Sequence, residues 1–156
     1  EYRAICLDGN IEYSYKKVKP IVIGNGKDSL QNLLLQFNES FFSNKSNFEY
    51  NEYDLNYVPS LGEKIEYEWR FNLSKGAKIQ NISKLEQDKI EKLAKKAASK
   101  VNLNFGSIDI IETLEGELKI IEINSGVMME NLIKLKDEGY KIAKEIYKKA
   151  IIKMFE

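Results

Sequence analysis

Histidine is absent from the sequence of 156 residues. Its absence excludes Ser-His-Asp and Cys-His catalysis and every metal site that depends on imidazole ligands. A metal site in this protein would have to use mainly oxygen ligands, which favours a hard cation such as magnesium.

The sequence also contains only one cysteine, has no long apolar run and carries no net charge. The single cysteine, Cys6, lies in an apolar run and cannot form an internal disulfide, which fits a buried residue in a reducing, cytoplasmic compartment. No apolar run approaches the roughly 18 residues of a membrane helix, and no signal peptide is visible, so no membrane partner is expected. The 24 basic residues balance the 24 acidic ones, which disfavours a nucleic-acid partner.

The first half of the chain contains strand and turn signals, over a total length typical of one domain. Apolar, strand-like runs predict strands at residues 2–7 and 11–17, joined by the Asp-Gly turn signal at Asp8. Residues 38–60 are polar, aromatic and aperiodic, which predicts a long surface excursion or insertion.

The second half of the chain contains the clearest helix signals. A capping box from Ser83 to Glu86 predicts the start of one amphipathic helix, and residues 139–155 contain a second. Because strands and helices are mixed, the predicted class is α+β, with an antiparallel sheet packed on helices.

Residues 105–124 predict a β-hairpin between these two helices. If Glu115 and Gly116 form a two-residue turn, counting outward places Asp109 directly opposite Glu122, with Asn124 on the same face. The other face of the hairpin is then apolar and should be buried; it consists of Ile108, Ile110, Ile121 and Ile123.

Facing carboxylates at Asp109 and Glu122 would repel each other across about 5 Å. One of them can take up a proton, or a cation can lie between them. Carboxylate oxygens together with the amide oxygen of Asn124 suit magnesium, which also binds substrate phosphates. The alternative that the pattern leaves open is a solvated acidic face of an edge hairpin.

Two further groups of residues could receive anions. Arg3, Lys16, Lys17 and Lys19 crowd the first hairpin and could clamp a phosphate, although a solvated basic strand face explains them as well. The loop that contains Ser74 and Gly76 offers hydroxyl and amide donors, but it lacks Walker spacing, and an ordinary surface loop is the competing interpretation.

Six segments of the chain, taken in order, resemble the motifs of one family. They are residues 1–9 (EYRAICLDG), 17–26 (KVKPIVIGNG), 58–63 (VPSLGE), 72–77 (NLSKGA), 105–111 (FGSIDII) and 121–124 (IEIN). The family is that of the ATP-grasp carboxylate–amine ligases, and the likeness is nearest to the ATP-grasp domain of cyanophycin synthetase and of the bifunctional glutathione-synthesising enzymes.

The resemblance implies an ATP- and magnesium-dependent ligase that joins a carboxylate to an amine through an acylphosphate. Asp109, Glu122 and Asn124 match the family's magnesium ligands. Basic residues of this chain match those that line the phosphates and the substrate in the family, and the segment at residues 72–74 matches the family's N-L-S loop, which lies near the nucleotide. Arg3 and Lys17 match the basic residues, and Asn72 and Ser74 match the loop. Arg70, which precedes that loop, is expected to stabilise phosphate or bind the carboxylate together with Arg3 and Lys17.

The sequence also departs from the family. Asn25 replaces the aspartate of the G-D-G motif, and residues 125–129 replace the usual Pro-Gly, which leaves the acceptor substrate open. The resemblance places the family's preceding domain and its ATP-gripping lobe upstream of Glu1, so the chain is expected to be the C-terminal part of an ATP-grasp domain and inactive by itself. The second hypothesis is a non-catalytic module that binds a nucleotide or a protein. The oligomeric state, including a homodimer, is left open.

Overall fold

The computed structural model describes residues 1–37, 54–66, 73, 77–133 and 136–155. The chain divides into two compact units, of which the first comprises residues 1–18 and 79–156 and the second comprises residues 19–78. Of the helices within the described ranges, none is both long enough and apolar enough to cross a membrane.

The first unit is built on a five-stranded sheet with the strand order β5-β2-β1-β6-β7. Its paired strands β2–β1, β1–β6 and β6–β7 are all antiparallel. The strands are β1 (Tyr2–Leu7), β2 (Asn10–Val18), β5 (Lys78–Gln80), β6 (Phe105–Glu112) and β7 (Leu118–Asn124). The predicted α+β class with an antiparallel sheet is confirmed.

The Asp-Gly signal forms the predicted turn between β1 and β2. Leu7 pairs with Asn10, so Asp8 and Gly9 are the two turn residues, and both have positive φ angles of 50° and 74°. This backbone matches the twist of the strands that it joins. The turn sets the first pairs of the hairpin, and a bulge between Ile5 and Cys6 then shifts the register by one residue, which places Arg3 opposite Tyr15.

Helix α2 (Lys84–Lys100) covers one face of the sheet. The predicted capping box is present: the Ser83 side chain accepts from the backbone N–H of Glu86, and the Glu86 side chain accepts from the backbone N–H of Ser83. Burying each large aliphatic side chain here stabilises the fold by about 1.5–3 kcal/mol. The buried cluster comprises Tyr2, Ala4, Cys6, Ile90, Ala94, Ala98, Ile108 and Ile110.

Two helices follow β7: α3 (Glu130–Ile133) and α4 (Lys136–Lys153). Their buried side chains are Leu132, Ala143 and Ile146. The ring of Phe105, at the start of β6, meets the ring of Tyr147 edge-on at 6.3 Å between centroids. Because Phe105 and Asp109 lie on the same face of β6, α4 contacts the end of that face about 13 Å from Asp109 along the strand.

The second unit contains the antiparallel pair β3 (Ile21–Ile23) and β4 (Lys64–Glu66), and helix α1 (Leu30–Phe37). Its buried core is Val22, Leu30, Leu33 and Leu34. Of the predicted excursion at residues 38–60, residues 38–53 lie outside the described part, and residues 54–60 contain neither helix nor strand.

Candidate functional site

Four side chains form a row across the sheet of the first unit, on the face opposite α2. Antiparallel pairing places Tyr15 of β2 beside Arg3 of β1, Arg3 beside Asp109 of β6, and Asp109 beside Glu122 of β7. Directly paired residues share a face of a sheet, so these four residues lie on the same side. We call them the cross-sheet row.

The predicted pairing of Asp109 with Glu122 is confirmed, although the hairpin reaches it differently. Thr113 and Glu117 close a three-residue loop rather than the predicted two-residue turn, and Gly116 has a φ of +81°. A bulge then shifts the register between Asp109 and Ile110. The two irregularities cancel, so the pairing at the row is the predicted one.

Because of the bulge, one residue of the hairpin that was expected to be buried is exposed. Ile108 and Ile110 are fully buried as predicted, and Ile123 is partly buried against the same core. Ile121 was expected to share this face, but 54 % of its surface is exposed. The extra residue in β7 is left without a pairing partner in β6, which frees its side chain from the core face.

Asp109 is held by two cations. The Arg3 guanidinium donates from Nε to Oδ1 at 2.7 Å and from Nη2 to Oδ2 at 2.6 Å. The Lys17 ammonium lies 3.3 Å from Oδ2 and also pairs with the carboxylate of Glu1. Asp109 and Lys17 are 5 % and 4 % exposed, so these charges compensate one another in a largely buried setting.

This pairing sets the ionisation of both partners. Burial opposes ionisation of Asp109, but hydrogen bonds and charge from Arg3, joined by the charge of Lys17, outweigh it and lower the pKa of the carboxyl below its usual range. The hydrogen bonds to Asp109 raise the pKa of Arg3 in turn. The row therefore contains a fixed anion and a fixed cation in contact.

Two members of this arrangement were not predicted. Tyr15 lies beside Arg3 in the row, and burial raises its pKa to about 12 against the opposing charge of Arg3. Glu1 pairs with Lys17. The period-2 alternation that puts Tyr15 and Lys17 on one face of β2 was a signal that could have identified Tyr15.

Glu122 and Asn124 extend the polar face to the edge strand. Asn124 pairs with Ser107, one step along the same face from Asp109 and Glu122. Glu122 is exposed and Asn124 is partly buried. Within the described part of the chain, neither side chain makes a hydrogen bond or an ion pair, and no group of three or more acidic or cysteine residues is placed to hold a metal ion.

Lys16 is separated from Arg3 and Lys17, with which it was expected to crowd the first hairpin. Arg3 and Lys17 meet at Asp109, but Lys16 lies on the α2 face, with its ammonium 5.3 Å from the centre of the Tyr2 ring. Lys19 belongs to the second unit and pairs with Glu66 there at 3.1 Å. Alternation along β2 separates Lys16 from Lys17, because successive side chains point to opposite faces. Arg70, Asn72 and Ser74 lie outside the described residues.

Comparison with known proteins gives the family. The sequence model described as "RimK-like ATP-grasp domain" matches residues 57–150, which is more than half of the chain. The chain therefore belongs to the RimK-like ATP-grasp domain family, within the group of ligases that the motif order resembles.

Two known proteins are similar to parts of this chain or to its fold. A tetrahydromethanopterin:alpha-L-glutamate ligase from Methanocaldococcus jannaschii is 39 % identical over 57 residues, which are 36 % of this chain and 19 % of that protein. The crystal structure of a bifunctional glutathione synthetase from Pasteurella multocida matches 95 % of this chain with a TM-score of 0.61 and 14 % identity, so it shows the fold alone. The match spans 24 % of the synthetase chain.

The donors in and beside the row fit a hard cation in chemical type. Asp109 and Glu122 provide carboxylate oxygens and Asn124 provides an amide oxygen, the ligands that magnesium prefers. The lowered pKa keeps Asp109 ionised at neutral pH. A cation at Asp109 would compete with Arg3 and Lys17, which already contact both of its oxygens.

Proposed function

We propose that this chain is part of an ATP- and magnesium-dependent ligase that joins a carboxylate to an amine. The observation that carries the proposal is the cross-sheet row, which puts Arg3 and Asp109 in contact and Glu122 beside Asp109 on adjacent strands, in a chain of the ATP-grasp family. Both substrates would be small molecules, one carrying the carboxylate and the other the amine.

In the proposed reaction, the substrate carboxylate attacks the terminal phosphoryl group of ATP and becomes an acylphosphate, with release of ADP. The amine then attacks the acyl carbon, and phosphate leaves as the amide forms. Little of this requires covalent participation of the protein, so the residues must position the reactants and neutralise charge.

The residues of this chain would divide that work. Asp109, Glu122 and Asn124 would hold magnesium, which when bound would neutralise charge on the ATP phosphates. Arg3 would present its guanidinium to the phosphoryl oxygens, for which its planar fork is suited. Lys17 would contribute a second fixed positive charge beside Asp109. Arg70, Asn72 and Ser74 keep their predicted roles toward phosphate and nucleotide as part of this proposal.

The test is titration calorimetry of the full-length protein with magnesium and a non-hydrolysable ATP analogue. An Asp109→Asn, Glu122→Gln double variant should bind at least about tenfold more weakly, which corresponds to about 1.4 kcal/mol. A Glu115→Gln, Glu117→Gln variant is the matched control, because it removes two exposed carboxylates from the loop of the same hairpin. Equal affinity of the wild type and the row variant would overturn the metal site.

One observation favours the alternative of a non-catalytic binding module. Both oxygens of Asp109 are engaged by cations of the protein itself, an arrangement that a purely structural ion pair would also show. Phosphate release by the full-length protein, measured over a panel of carboxylates and amines, separates the two functions. A protein that binds the nucleotide and releases no phosphate with any pair is the module.

A further inference from the structure

The two Asp109 carboxylate oxygens that contact cationic side chains of the protein are also the oxygens that would bind a metal cation. Arg3 approaches the carboxylate side-on, with one donor on each oxygen, at 2.7 Å and 2.6 Å. This two-point contact uses the directions in which the carboxylate would coordinate a metal. Because the inference rests on the proposed function, Asp109 is taken here as a ligand to that metal.

Likewise, the Arg3 donors that bind Asp109 are also the donors that would bind an anion. The guanidinium edge that binds a carboxylate at two points also binds phosphate at two points. In this structure that edge faces Asp109, and a quarter of the Arg3 side chain is exposed. Because part of Arg3 is exposed, an incoming phosphate can reach the guanidinium and replace Asp109 there, while Arg3 keeps its place in the sheet.

The other partners in and beside the row are more deeply buried than Arg3. Lys17 is almost fully buried and keeps Glu1 as a second partner, so it can stay beside Asp109 during such an exchange. Tyr15 is also buried, and it lies beside Arg3 on the side away from Asp109. Tyr15 thus borders Arg3 on the side opposite Asp109 and limits how far the guanidinium can leave the row.

We propose that the Arg3–Asp109 ion pair couples the cation half of the site to the anion half. Asp109 becomes fully available to the metal only when phosphate takes the Arg3 fork, and Arg3 becomes fully available to phosphate only when the metal takes Asp109. Whichever ligand binds first must break the ion pair, and the second does not. The coupling is therefore positive, and it has the same size in both directions.

The test measures Mn²⁺ binding to the full-length protein by electron paramagnetic resonance, with and without sulfate as the anion. Chloride keeps the ionic strength constant. In the wild type, sulfate should tighten Mn²⁺ binding by at least about threefold, a modest allosteric coupling. Because sulfate binds Mn²⁺ only weakly in solution, this enhancement reports on the protein.

The decisive variant is Arg3→Lys, which keeps the positive charge and removes the two-point fork. It should bind Mn²⁺ alone at least about threefold more tightly than the wild type, and sulfate should add nothing, since the competing contact is lost. Simple repulsion between charges predicts no change for this variant. Arg3→Ala should show the same loss of sulfate enhancement, and a thermal melt of each variant establishes that it is folded.

The possible outcomes separate this inference from the proposed function. Equal Mn²⁺ affinity of wild type and Asp109→Asn, Glu122→Gln under every condition would remove the metal site and the coupling together. A metal site that is lost in that double variant, but for which Arg3→Lys behaves like the wild type, would overturn the coupling and leave the proposed function standing.

Discussion

Asp109 is a buried acid between two cations, whereas its neighbour Glu122 is exposed and makes no side-chain hydrogen bond or ion pair with the described residues. Replacing Asp109 leaves Arg3 and Lys17 without their common counter-ion, and breaking a buried pair in this way typically costs about 3–5 kcal/mol. Arg3 is partly exposed, so solvent should reduce that cost.

We expect Asp109→Asn to lower the free energy of unfolding by about 2–4 kcal/mol. Glu122→Gln, its partner in the row, should change that free energy by less than about 0.5 kcal/mol, as exposed substitutions usually do. Urea denaturation of both variants beside the wild type measures the difference. Similar losses for the two would mean that Glu122 takes part in the buried charge network.

Tyr15 should make the fold sensitive to alkaline pH. Its pKa is raised from 10.0 to about 12, so the folded state favours the neutral phenol. The stability that this preference provides is complete below pH 10 and is lost as the pH rises toward the folded value.

Between about pH 9 and about pH 11, the wild type should therefore lose about 1 kcal/mol more stability than Tyr15→Phe, since one pKa unit corresponds to about 1.4 kcal/mol. Chemical denaturation of both proteins at the two pH values gives this difference, and the other titrating groups are common to both. Parallel losses would show that Tyr15 keeps its ordinary pKa in the folded protein.

At the level of elements, Gly106 in β6 lies against the end of β7. A methyl group added there would meet the backbone carbonyl oxygen of Asn124 and would lie 2.7 Å from a Leu103 methyl. Gly106 therefore allows the close approach that places Asn124 beside the cross-sheet row.

We expect Gly106→Ala to destabilise the protein by about 1–3 kcal/mol, as overpacking does. It should also weaken Mn²⁺ binding, because β7 must move away from β6. The control is Gly126→Ala, two residues beyond Asn124, where an added methyl group meets nothing within 4 Å. Thermal melts and Mn²⁺ titrations would contradict this account if both variants behaved like the wild type.

The hairpin also shows what the sequence could and could not predict. Alternation and the Gly116 turn signal correctly paired Asp109 with Glu122. They did so only because the three-residue loop and the bulge shift the register in opposite directions, and the two shifts cancel. A bulge depends on how two strands twist and pack together, which a single-strand pattern does not report. The exposed position of Ile121 could not be foreseen for this reason.

The contact between Arg3 and Asp109 was beyond prediction for a different reason. The two residues are 106 positions apart, and nothing local in either strand states that β1 lies between β2 and β6. Both residues were predicted as site residues, Arg3 in a basic cluster and Asp109 as a metal ligand. Their pairing with each other was not predicted.

For the molecule as a whole, the matched regions are small parts of the relatives, at 19 % of the ligase and 24 % of the synthetase. In the first unit, Tyr15 and Asp109 of the cross-sheet row are buried, but Arg3 is partly exposed and Glu122 is open to solvent. Charges that remain exposed to solvent act weakly on a phosphoryl group, because effective electrostatic stabilisation requires a site from which water is excluded.

We therefore expect the 156-residue chain, produced by itself, to bind nucleotide weakly and to release no phosphate from ATP above the level of its Asp109→Asn, Glu122→Gln variant. A coupled phosphate assay over the same substrate panel used for the full-length protein measures this. Turnover by the isolated chain that depends on Asp109 and Glu122 would contradict the expectation.

The position of β1 in the sheet has a consequence for how the protein is made. Within this chain, β1 is synthesised first, yet one of its edges pairs only with β6, which begins at Phe105. At the speed of a ribosome, that partner follows after on the order of 5–20 s. Until then the β1–β2 hairpin presents a bare strand edge and a guanidinium without its carboxylate, so a newly made chain completes its sheet and neutralises the charges of its candidate site in a single late event.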